Sequence, residues 1–334
     1  MTMVATRRAA QTEEQPTLGR RDPATIDRFL GALEGPLEAW FRPVVRGFER
    51  LPAGPALVVA NHNGGILMPD VFVLSCAWRR ARGTDDLPYA LGHDRAMKLP
   101  HLGPFLEALG GLRATPDAAH EVFRAGHKVL AFPGGDVECF RPFRERNQIV
   151  FGPRRGYVRL AIKEGVPICP VVTAGGHSTF VVLDDGRKLA SMLGLKKLRV
   201  NVCPTVLSVP WGLTVGFPPP YVPLPTRMWT EVLEPIHFTR AGEEAAADDA
   251  FVEACHAQVV GRMQAALDRL AFERREARKD AVADAAVRAL EWLEARIGGA
   301  PTRVAAGVGP VGSVVSLHAV SGRPDAATLD VAAA

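Results

Sequence analysis

The chain has 334 residues, of which 47% are hydrophobic, so it can form one large domain or two small ones around a buried core. Its formal charge of +4 is mildly basic, and the basic residues are not gathered into the blocks typical of nucleic-acid-binding arms. The balance suits an anionic lipid or phosphate ligand without requiring one. We therefore expect no nucleic-acid partner.

The cysteines and the polar N-terminus favour a reducing, cytoplasmic compartment. Five cysteines are scattered without a CxxC pair, which favours a reducing environment over a disulfide framework. The spacing of side chains predicts no metal site. The N-terminus lacks the apolar core of a secretory signal, and no window supplies about 18 consecutive apolar residues. We expect a cytoplasmic protein that does not span a membrane.

The first 50 residues contain two different patterns. Residues 1–22 are polar and aperiodic, which predicts disorder. Residues 24–50 carry apolar side chains in steps of three and four, which predicts a helical segment that two prolines break or kink. This segment either packs on the core or lies at a membrane surface, with Trp40 and Phe41 near the lipid headgroups.

Between residues 55 and 238, apolar strands alternate with helical segments, which is typical of an α/β domain. We predict a mixed, largely parallel sheet flanked by helices. The predicted strands are 55–60, 88–92, 128–132, 167–173, 198–203 and 229–233. The predicted helices are 70–82, 101–109, 116–125 and 154–164.

Two later segments differ from this alternation. Residues 208–225 are apolar but rich in Pro and Gly, which predicts a loop or hairpin that either folds back on the core or makes a shallow membrane contact. Residues 246–297 are helical in composition. We therefore divide the chain into a disordered N-terminus (1–22), an α/β domain with an N-terminal amphipathic helix (23–240), a C-terminal helical extension (241–298) and a flexible tail (299–334).

The first candidate site follows the first predicted strand of the α/β domain. Asn61 and His62 come directly after this strand, Gly64 and Gly65 form a turn, and Asp70 follows. An imidazole oriented by a carboxylate is the minimum arrangement for a general base. His62 and Asp70 are therefore the candidate catalytic pair, although a histidine at a strand end is often only a satisfied surface group.

A second predicted strand ends in Pro133, Gly134 and Gly135, and Glu138 and Arg141 come shortly after. A glycine-rich backbone offers N–H groups to an anion, and arginine binds phosphate in a bidentate way. The further arginines that follow are either solvated surface charges or phosphate ligands. Because ligands of such sheets bind outside the carboxyl ends of the strands, we expect both strand ends to contribute to one site.

The order of these blocks resembles the glycerol-phosphate and lysophospholipid acyltransferase superfamily, which includes the 1-acylglycerol-3-phosphate acyltransferases. The matching residues are Asn61-His62 with Asp70, then Phe132-Pro133-Gly134-Gly135, then Val166-Pro167-Ile168-Cys169-Pro170-Val171. Between the first two blocks, Lys98 and Arg113 lie where family members carry basic residues that bind the substrate.

The chain also departs from the family pattern. Asp70 follows His62 at a longer spacing than the usual HxxxxD, and Gly134 replaces the glutamate of the Phe-Pro-Glu-Gly block. The block of Pro133, Gly134, Gly135 and Glu138 looks more like the diacylglycerol acyltransferase branch. Asp136, Val137 and Glu138 stand where the family usually has Thr-Arg-Ser, and Arg141 is the candidate to replace the missing arginine. The acceptor can therefore differ from a simple lysophosphatidate.

The resemblance implies a bacterial, peripheral-membrane O-acyltransferase of lipid metabolism or phospholipid biosynthesis, at the inner face of the plasma membrane. His62 would take the proton of a glycerolipid hydroxyl, which attacks an acyl thioester, and Asp70 would orient the imidazole. No cofactor is implied beyond acyl-CoA or acyl-carrier protein as co-substrate. The implied substrate-binding residues are Asn61, Gly64, Gly65, Lys98, Arg113, Pro133, Gly134, Gly135, Glu138 and Arg141.

Two alternatives remain open. A thioesterase or lipid hydrolase could use the same His62–Asp70 pair with water as the acceptor. A non-catalytic lipid-binding protein could retain the fold. The sequence leaves the acceptor, the acyl carrier and the oligomeric state undetermined.

Overall fold

The computed structural model of the protein describes residues 18–92, 94–195, 201–217 and 219–297, with side chains up to Lys279. The predicted disorder at 1–17, the predicted tail after 298 and part of the strand predicted at 198–203 lie outside the described residues. The chain divides into a compact unit that ends at Asp280 and a second unit from Ala281, of which residues 281–297 are helical.

The main sheet has seven strands. Five of them lie close to predicted strands, whereas those at 44–46 and 111–113 were not predicted. The seven strands are β1 (Val44–Arg46), β2 (Leu57–Ala60), β3 (Tyr89–Gly92), β4 (Gly111–Arg113), β5 (Val129–Ala131), β6 (Ile168–Ala174) and, last in the chain, β10 (Trp229–Val232). Their order is β1-β10-β6-β2-β5-β3-β4, and β10 and β6 pair antiparallel while the other neighbours pair parallel. The prediction of a mixed, largely parallel sheet is confirmed.

A second, antiparallel sheet has three strands, β7 (Val181–Asp184), β8 (Thr205–Ser208) and β9 (Gly212–Val215). The segment 208–225, predicted as a loop or hairpin, contains the second strand of a hairpin that begins earlier, at Thr205, since β8 and β9 pair across a short turn. The strand predicted at 198–203 is wrong over its described part. Strand structure starts only at Thr205 because the Asn201 amide N–H donates to the Asp136 carboxylate instead of to a neighbouring strand.

The helices are α1 (Pro23–Phe41), α2 (Pro69–Arg82), α3 (Asp94–Met97), α4 (Leu102–Ala108), α5 (Pro116–Arg124), α6 (Gly135–Cys139), α7 (Gly156–Glu164), α8 (Arg187–Met192), α9 (Glu243–Ala247) and α10 (Asp249–Ile297). Several begin with proline at the first position, where its missing N–H costs nothing. None of the helices among the described residues is long and apolar enough to cross a bilayer.

Helices cover both faces of the main sheet. Leu57 and Val59 of β2 point to one face, where they belong to the same apolar cluster as residues of α5, α7 and α10. Val58 and Ala60 point to the other face, towards α1 and α2. Because both faces are buried, the central strands are apolar throughout, which is typical of parallel sheets.

The helical segment predicted at 24–50 is wrong after Phe41, apart from a short 3-10 turn at Phe48–Arg50. Helix α1 ends at Phe41, Arg42 adopts a left-handed conformation with φ of 42°, and the chain continues as β1. Pro43 explains the break, since it cannot donate a helical hydrogen bond. Phe41 is buried, so the core-packing interpretation of α1 applies to it, and Trp40 is 44% exposed.

Residues 18–22 are ordered, which corrects the C-terminal end of the disorder predicted for 1–22. The guanidinium of Arg21 donates to the carbonyl oxygens of Thr84 and Leu87, and Asp22 caps α1 by accepting from the Ala24 amide. These side-chain contacts join segments far apart in the sequence and leave no periodic signal.

Replacing Gly47 by Ala should destabilise the protein by about 2 kcal/mol or more. Gly47 has φ of +94°, and a Cβ there would overlap the carbonyl oxygen of Val232 in β10. Gly31→Ala is the matched control, because Gly31 lies in α1 with open space around it, and this change should stabilise by about 0.5–1 kcal/mol. Urea denaturation measures both, and equal stabilities would contradict the close approach of Gly47 to β10.

Candidate active site

The two predicted strand ends meet at one edge of the sheet, as expected. Strand β2 lies between β5 and β6, and all three run parallel. Their carboxyl ends therefore deliver the segments after Ala60, Ala131 and Ala174 to neighbouring positions. Such an edge is where ligands of open α/β sheets bind.

His62 lies at the centre of this edge. Its ring packs against Phe132, with ring centroids 4.7 Å apart, and its Nδ1 atom is buried without a hydrogen-bond partner in the described part of the chain. Burial, together with the nearby Arg141 guanidinium, lowers the pKa of His62 to about 4. The imidazole is therefore neutral at physiological pH and able to accept a proton.

Asp70 does not make the hydrogen bond to His62 that the sequence analysis expected. It lies buried in the first turn of α2, where its Oδ2 atom accepts from the Asn63 side-chain amide at 2.9 Å. Its Oδ1 atom is buried without a partner among the described residues, and burial raises the pKa of Asp70 to about 6. The spacing explains the correction, because the chain turns back to α2 through left-handed Gly64, Gly65 and Met68 and brings Asp70 to Asn63.

Asn63 is the functional-site residue that the sequence reasoning missed. Its side-chain amide donates to Asp70 and to the Asn61 carbonyl, and its Oδ1 atom accepts from Arg141 at 2.7 Å and from the Asn61 side chain at 3.3 Å. Asn63 therefore links the Asp70 carboxylate to the Arg141 guanidinium. A single Asn in a polar loop gives no signal of such a role, since it depends on contacts across the fold.

Glu138 and Arg141 hold the peptide groups of His62 from both sides. The Glu138 carboxylate accepts from the His62 amide N–H at 2.9 Å, and Arg141 Nη1 donates to the His62 carbonyl at 2.7 Å. Glu138 also accepts from the Val150 amide, and its burial raises its pKa to about 7. We call this pair of contacts the His62 clamp.

The structure corrects the expectation that Arg141 binds a substrate phosphate. Arg141 is fully buried, and its five N–H groups donate to Asn63 Oδ1 and to the carbonyl oxygens of His62, Glu138, Glu145 and Arg146. A guanidinium has five donors, so none remains for a ligand. Glu138 is corrected in the same way, because both of its oxygens accept from the backbone.

Asn61 also has a structural position. Its side chain donates to the Thr173 carbonyl and accepts from the Thr173 amide N–H, which ties the end of β2 to β6. The side chain is buried and paired, which corrects its assignment as a substrate-binding group. It fixes the strand end from which His62 projects.

Gly64 and Gly65 make room for protein groups instead of for substrate. A Cβ at Gly64 would meet the Thr179 hydroxyl, and a Cβ at Gly65 would meet the hydroxyl of Tyr221. The Tyr221 hydroxyl donates to the Gly64 carbonyl at 2.8 Å. The two glycines therefore allow Tyr221 to fix the loop after His62.

The turn at Pro133, Gly134 and Gly135 is similarly crowded by side chains. A Cβ at Gly134 would overlap the Glu138 side chain, and one at Gly135 would overlap the Arg154 guanidinium. The Gly135 amide donates to the Phe132 carbonyl, whereas the Gly134 amide has no acceptor among the described residues. Of the amide N–H groups of the two glycines, that of Gly134 is therefore the one without an acceptor in the described part of the chain.

Lys98 and Arg113 are brought together, but at a distance from His62. Both form ion pairs with Asp94, at 2.9 Å and 2.6 Å. Arg113 ends β4, which lies three strands from β2. Arg113 and the end of β2 are therefore about 14 Å apart across the sheet. This exposed basic pair shares the carboxyl edge of the sheet with His62.

Other ionisable groups near the edge have structural partners. Arg154, Arg155 and Arg159 form ion pairs with carboxylates, which supports the interpretation of solvated surface charges over phosphate ligands. His177 is buried with its Nε2 atom on the Arg141 carbonyl, and burial holds its pKa well below the ordinary value. Cys139 is buried and its pKa is raised, so its thiol is no nucleophile.

A family model and several known proteins are similar to this chain. Residues 42–174 match the family model described as Acyltransferase. An uncharacterised protein of Mycobacterium leprae is 31% identical over 239 residues, which cover 71% of this chain and 62% of that protein. The human DGAT1/2-independent enzyme synthesizing storage lipids is 28% identical over 193 residues, covering 57% of each chain.

Among solved structures, the LPA acyltransferase PlsC of Thermotoga maritima is similar, with a TM-score of 0.47 and 17% identity over 74% of this chain and 78% of that one. The matched segment 42–174 is less than half of the chain, and it contains the motifs that resemble the acyltransferase superfamily. It spans 62% or less of the length of these curated relatives.

Replacing Glu138 by Gln should destabilise the protein by about 1–3 kcal/mol, because Gln has one acceptor oxygen where two backbone N–H groups need an acceptor. Glu253→Gln is the control, since Glu253 is exposed and pairs with Arg155 at the surface; it should cost less than about 1 kcal/mol. Chemical denaturation checks both. A Glu138→Gln variant as stable as the parent would show that the clamp does not stabilise the fold.

Proposed function

We propose that the protein is a peripheral-membrane O-acyltransferase, which moves a fatty acyl group from acyl-CoA or acyl-carrier protein to a hydroxyl of a glycerolipid or related lipid. The observation that carries this proposal is the neutral imidazole of His62, clamped at the carboxyl edge of the sheet within a segment that matches the acyltransferase family. A neutral imidazole in a fixed position is what a general base requires.

The reaction needs one proton acceptor and one oxyanion donor. Because His62 Nδ1 is buried, Nε2 is the nitrogen that a substrate can reach. It takes the proton of the acceptor hydroxyl while the oxygen attacks the thioester carbonyl carbon. The tetrahedral oxyanion then collapses, the carbon–sulfur bond breaks, and the imidazolium returns the proton to the departing thiolate. Gly134 N–H is the proposed oxyanion donor.

Asp70 would stabilise the imidazolium. In the loop from Asn61 to Asp70, the buried side-chain atoms without partners are His62 Nδ1 and Asp70 Oδ1, a potential donor and an acceptor. Unpaired buried polar groups cost stability and often mark function. We propose that these two atoms pair when Nδ1–H becomes part of a cation, with Asn63 holding the carboxylate in place until then.

The basic pair of Lys98 and Arg113 supports an anionic substrate group, because the two cations share one carboxylate, Asp94, whereas Arg154, Arg155 and Arg159 each pair with a carboxylate of their own. The basic pair lies about 14 Å from the β2 strand end, across three strands of the same sheet. A phosphate of the acyl carrier or of the acceptor head group would bind there, while the reacting carbonyl lies at His62. Association with the inner face of the plasma membrane stays a prediction.

His62→Ala should lower acyl transfer by on the order of 10²–10⁴-fold in kcat/KM, because the base is lost. The assay uses labelled acyl-CoA with lysophospholipids, glycerol phosphate, monoacylglycerol and diacylglycerol as acceptors. His120→Ala is the control, since His120 is exposed on α5 and pairs with Glu164. Thermal unfolding of both variants checks that they are folded.

The products separate the candidate functions. A labelled lipid formed by the parent and not by His62→Ala supports the proposal and identifies the acceptor. Free fatty acid as the sole product, lost in His62→Ala, would assign a hydrolase instead. Acyl transfer unchanged in His62→Ala would remove the general base from the mechanism.

Asp70→Asn should lower acyl transfer by on the order of 10²-fold, and its effect on stability should depend on pH. The folded protein raises the Asp70 pKa from 3.8 to about 6, so ionisation of this carboxyl destabilises the fold as pH rises between those values. Asn does not ionise. The stability of the variant relative to the parent should therefore increase by up to about 3 kcal/mol between pH 4 and pH 7.

Denaturation of Asp70→Asn and the parent at several pH values measures this difference. Titrating groups far from Asp70 contribute equally in both proteins and cancel. The pKa of Glu138, which is raised by burial and in part by the Asp70 charge, should be lower in the variant, so a Glu138→Gln background separates the two carboxyls. A difference in stability that stays constant with pH would show that Asp70 is not a buried carboxyl with a raised pKa.

A further inference from the structure

The three-stranded sheet has an apolar face that points away from the protein. The register pairs Val181 with Leu207 and Leu207 with Leu213, so these side chains lie on one face together with Leu183 and Val215. Leu213 and Val215 are each 64% exposed. We call the side chains of Val181, Leu183, Leu207, Leu213 and Val215 the hairpin face.

The opposite side of the same sheet is packed against the core. Val182 and Val206 are fully buried in a cluster with Phe180 and Tyr221. An antiparallel sheet with one buried face normally carries polar side chains on the other. The hairpin face breaks this pattern, and contiguous exposed apolar surface marks an interaction site.

The exposed apolar surface extends beyond the sheet. Trp211 and Phe217 flank β9, and Met192 and Leu193 are exposed at the end of α8. Aromatic side chains of this kind are enriched where a protein meets the lipid–water interface.

The chain beside the hairpin face is mainly basic. Asp184 ends β7 and Asp185 pairs with Arg187, but from Gly186 to Arg227 the sequence contains six Lys or Arg residues and no Asp or Glu, although the whole chain carries only +4. Arg187 and Lys188 begin α8 and are exposed. Basic residues beside exposed apolar side chains are complementary to an anionic lipid surface.

The polar groups of the exposed indoles are already satisfied. Trp211 Nε1 donates to the Pro220 carbonyl at 2.9 Å, and Trp40 Nε1 donates to the Pro223 carbonyl at 2.8 Å. These rings can therefore leave water without losing a hydrogen bond. The free edge of β9 still needs water or headgroups for its backbone, so contact with a bilayer would be shallow.

We propose that the hairpin face docks the protein on the surface of an anionic lipid bilayer. The purpose of this contact rests on the proposed function, since it would place the loop after His62 near the lipids that supply its substrates. Tyr221 connects the two, because it lies in the apolar cluster beneath the hairpin face and its hydroxyl holds the Gly64 carbonyl. Ile66 in that loop is 48% exposed.

The double variant Leu213→Ser with Val215→Ser tests this surface by co-sedimentation with vesicles. The parent should bind vesicles of phosphatidylcholine and phosphatidylglycerol more tightly than vesicles of phosphatidylcholine alone. The affinity of the double variant for these vesicles should be lower by about tenfold or more, because the substitutions remove exposed apolar surface. Phe272→Ser is the matched control, because Phe272 is 55% exposed on α10 and outside the hairpin face.

Binding does not require catalysis, so the two proposals fail separately. Vesicle binding of a parent protein that lacks acyl transfer would support the docking surface while removing the proposed function. A double variant that binds vesicles as the parent does would overturn the docking surface. A parent protein that binds no vesicles would also overturn it, including one that instead forms a dimer or binds an acidic carrier protein through the same side chains.

Discussion

The buried guanidinium of Arg141 is the interaction on which the site depends. In the segment after β2, it donates to the His62 carbonyl and the Asn63 side chain. In the segment after β5, it donates to the carbonyls of Glu138, Glu145 and Arg146, so it joins the two segments. A planar group with five fixed donors is suited to such a role. Arg141 therefore fixes the backbone from which the His62 imidazole projects, and the ring itself packs on Phe132.

The same burial determines the electrostatics of the site. One guanidinium lies among the carboxyls of Glu138 and Asp70, whose pKa values rise to about 7 and about 6, while that of His62 falls to about 4. Desolvation is the largest cause in each case, and it disfavours the charged form. A neutral base beside a carboxyl that ionises near pH 6 is a costly arrangement for stability, and such costs are typical of functional sites. The unpaired Nδ1 and Oδ1 atoms are part of the same cost.

Sequence patterns predicted the elements well and the contacts within the site poorly. Apolar runs ending in Asn-His and in Pro-Gly-Gly located β2 and β5 and brought their ends to one edge, because parallel strands share an edge. The three-residue strand β4 escaped prediction, since so short a segment has no measurable alternation. Asn63, Tyr221 and the buried position of Arg141 could not be predicted, because long-range hydrogen bonds leave no local pattern. Proximity in sequence suggested a His62–Asp70 bond, whereas the loop geometry pairs Asp70 with Asn63.

The loop after His62 is fixed from two sides by different parts of the molecule. On one side, the clamp and Asn63 hold its beginning to the main sheet. On the other, Tyr221 stacks on Phe180, with ring centroids 4.4 Å apart, and binds the Gly64 carbonyl. Both aromatic rings belong to the cluster that supports the three-stranded sheet. The loop after His62 therefore takes its position from both sheets, because the clamp ties it to the main sheet and the stacked aromatic pair ties it to the three-stranded sheet.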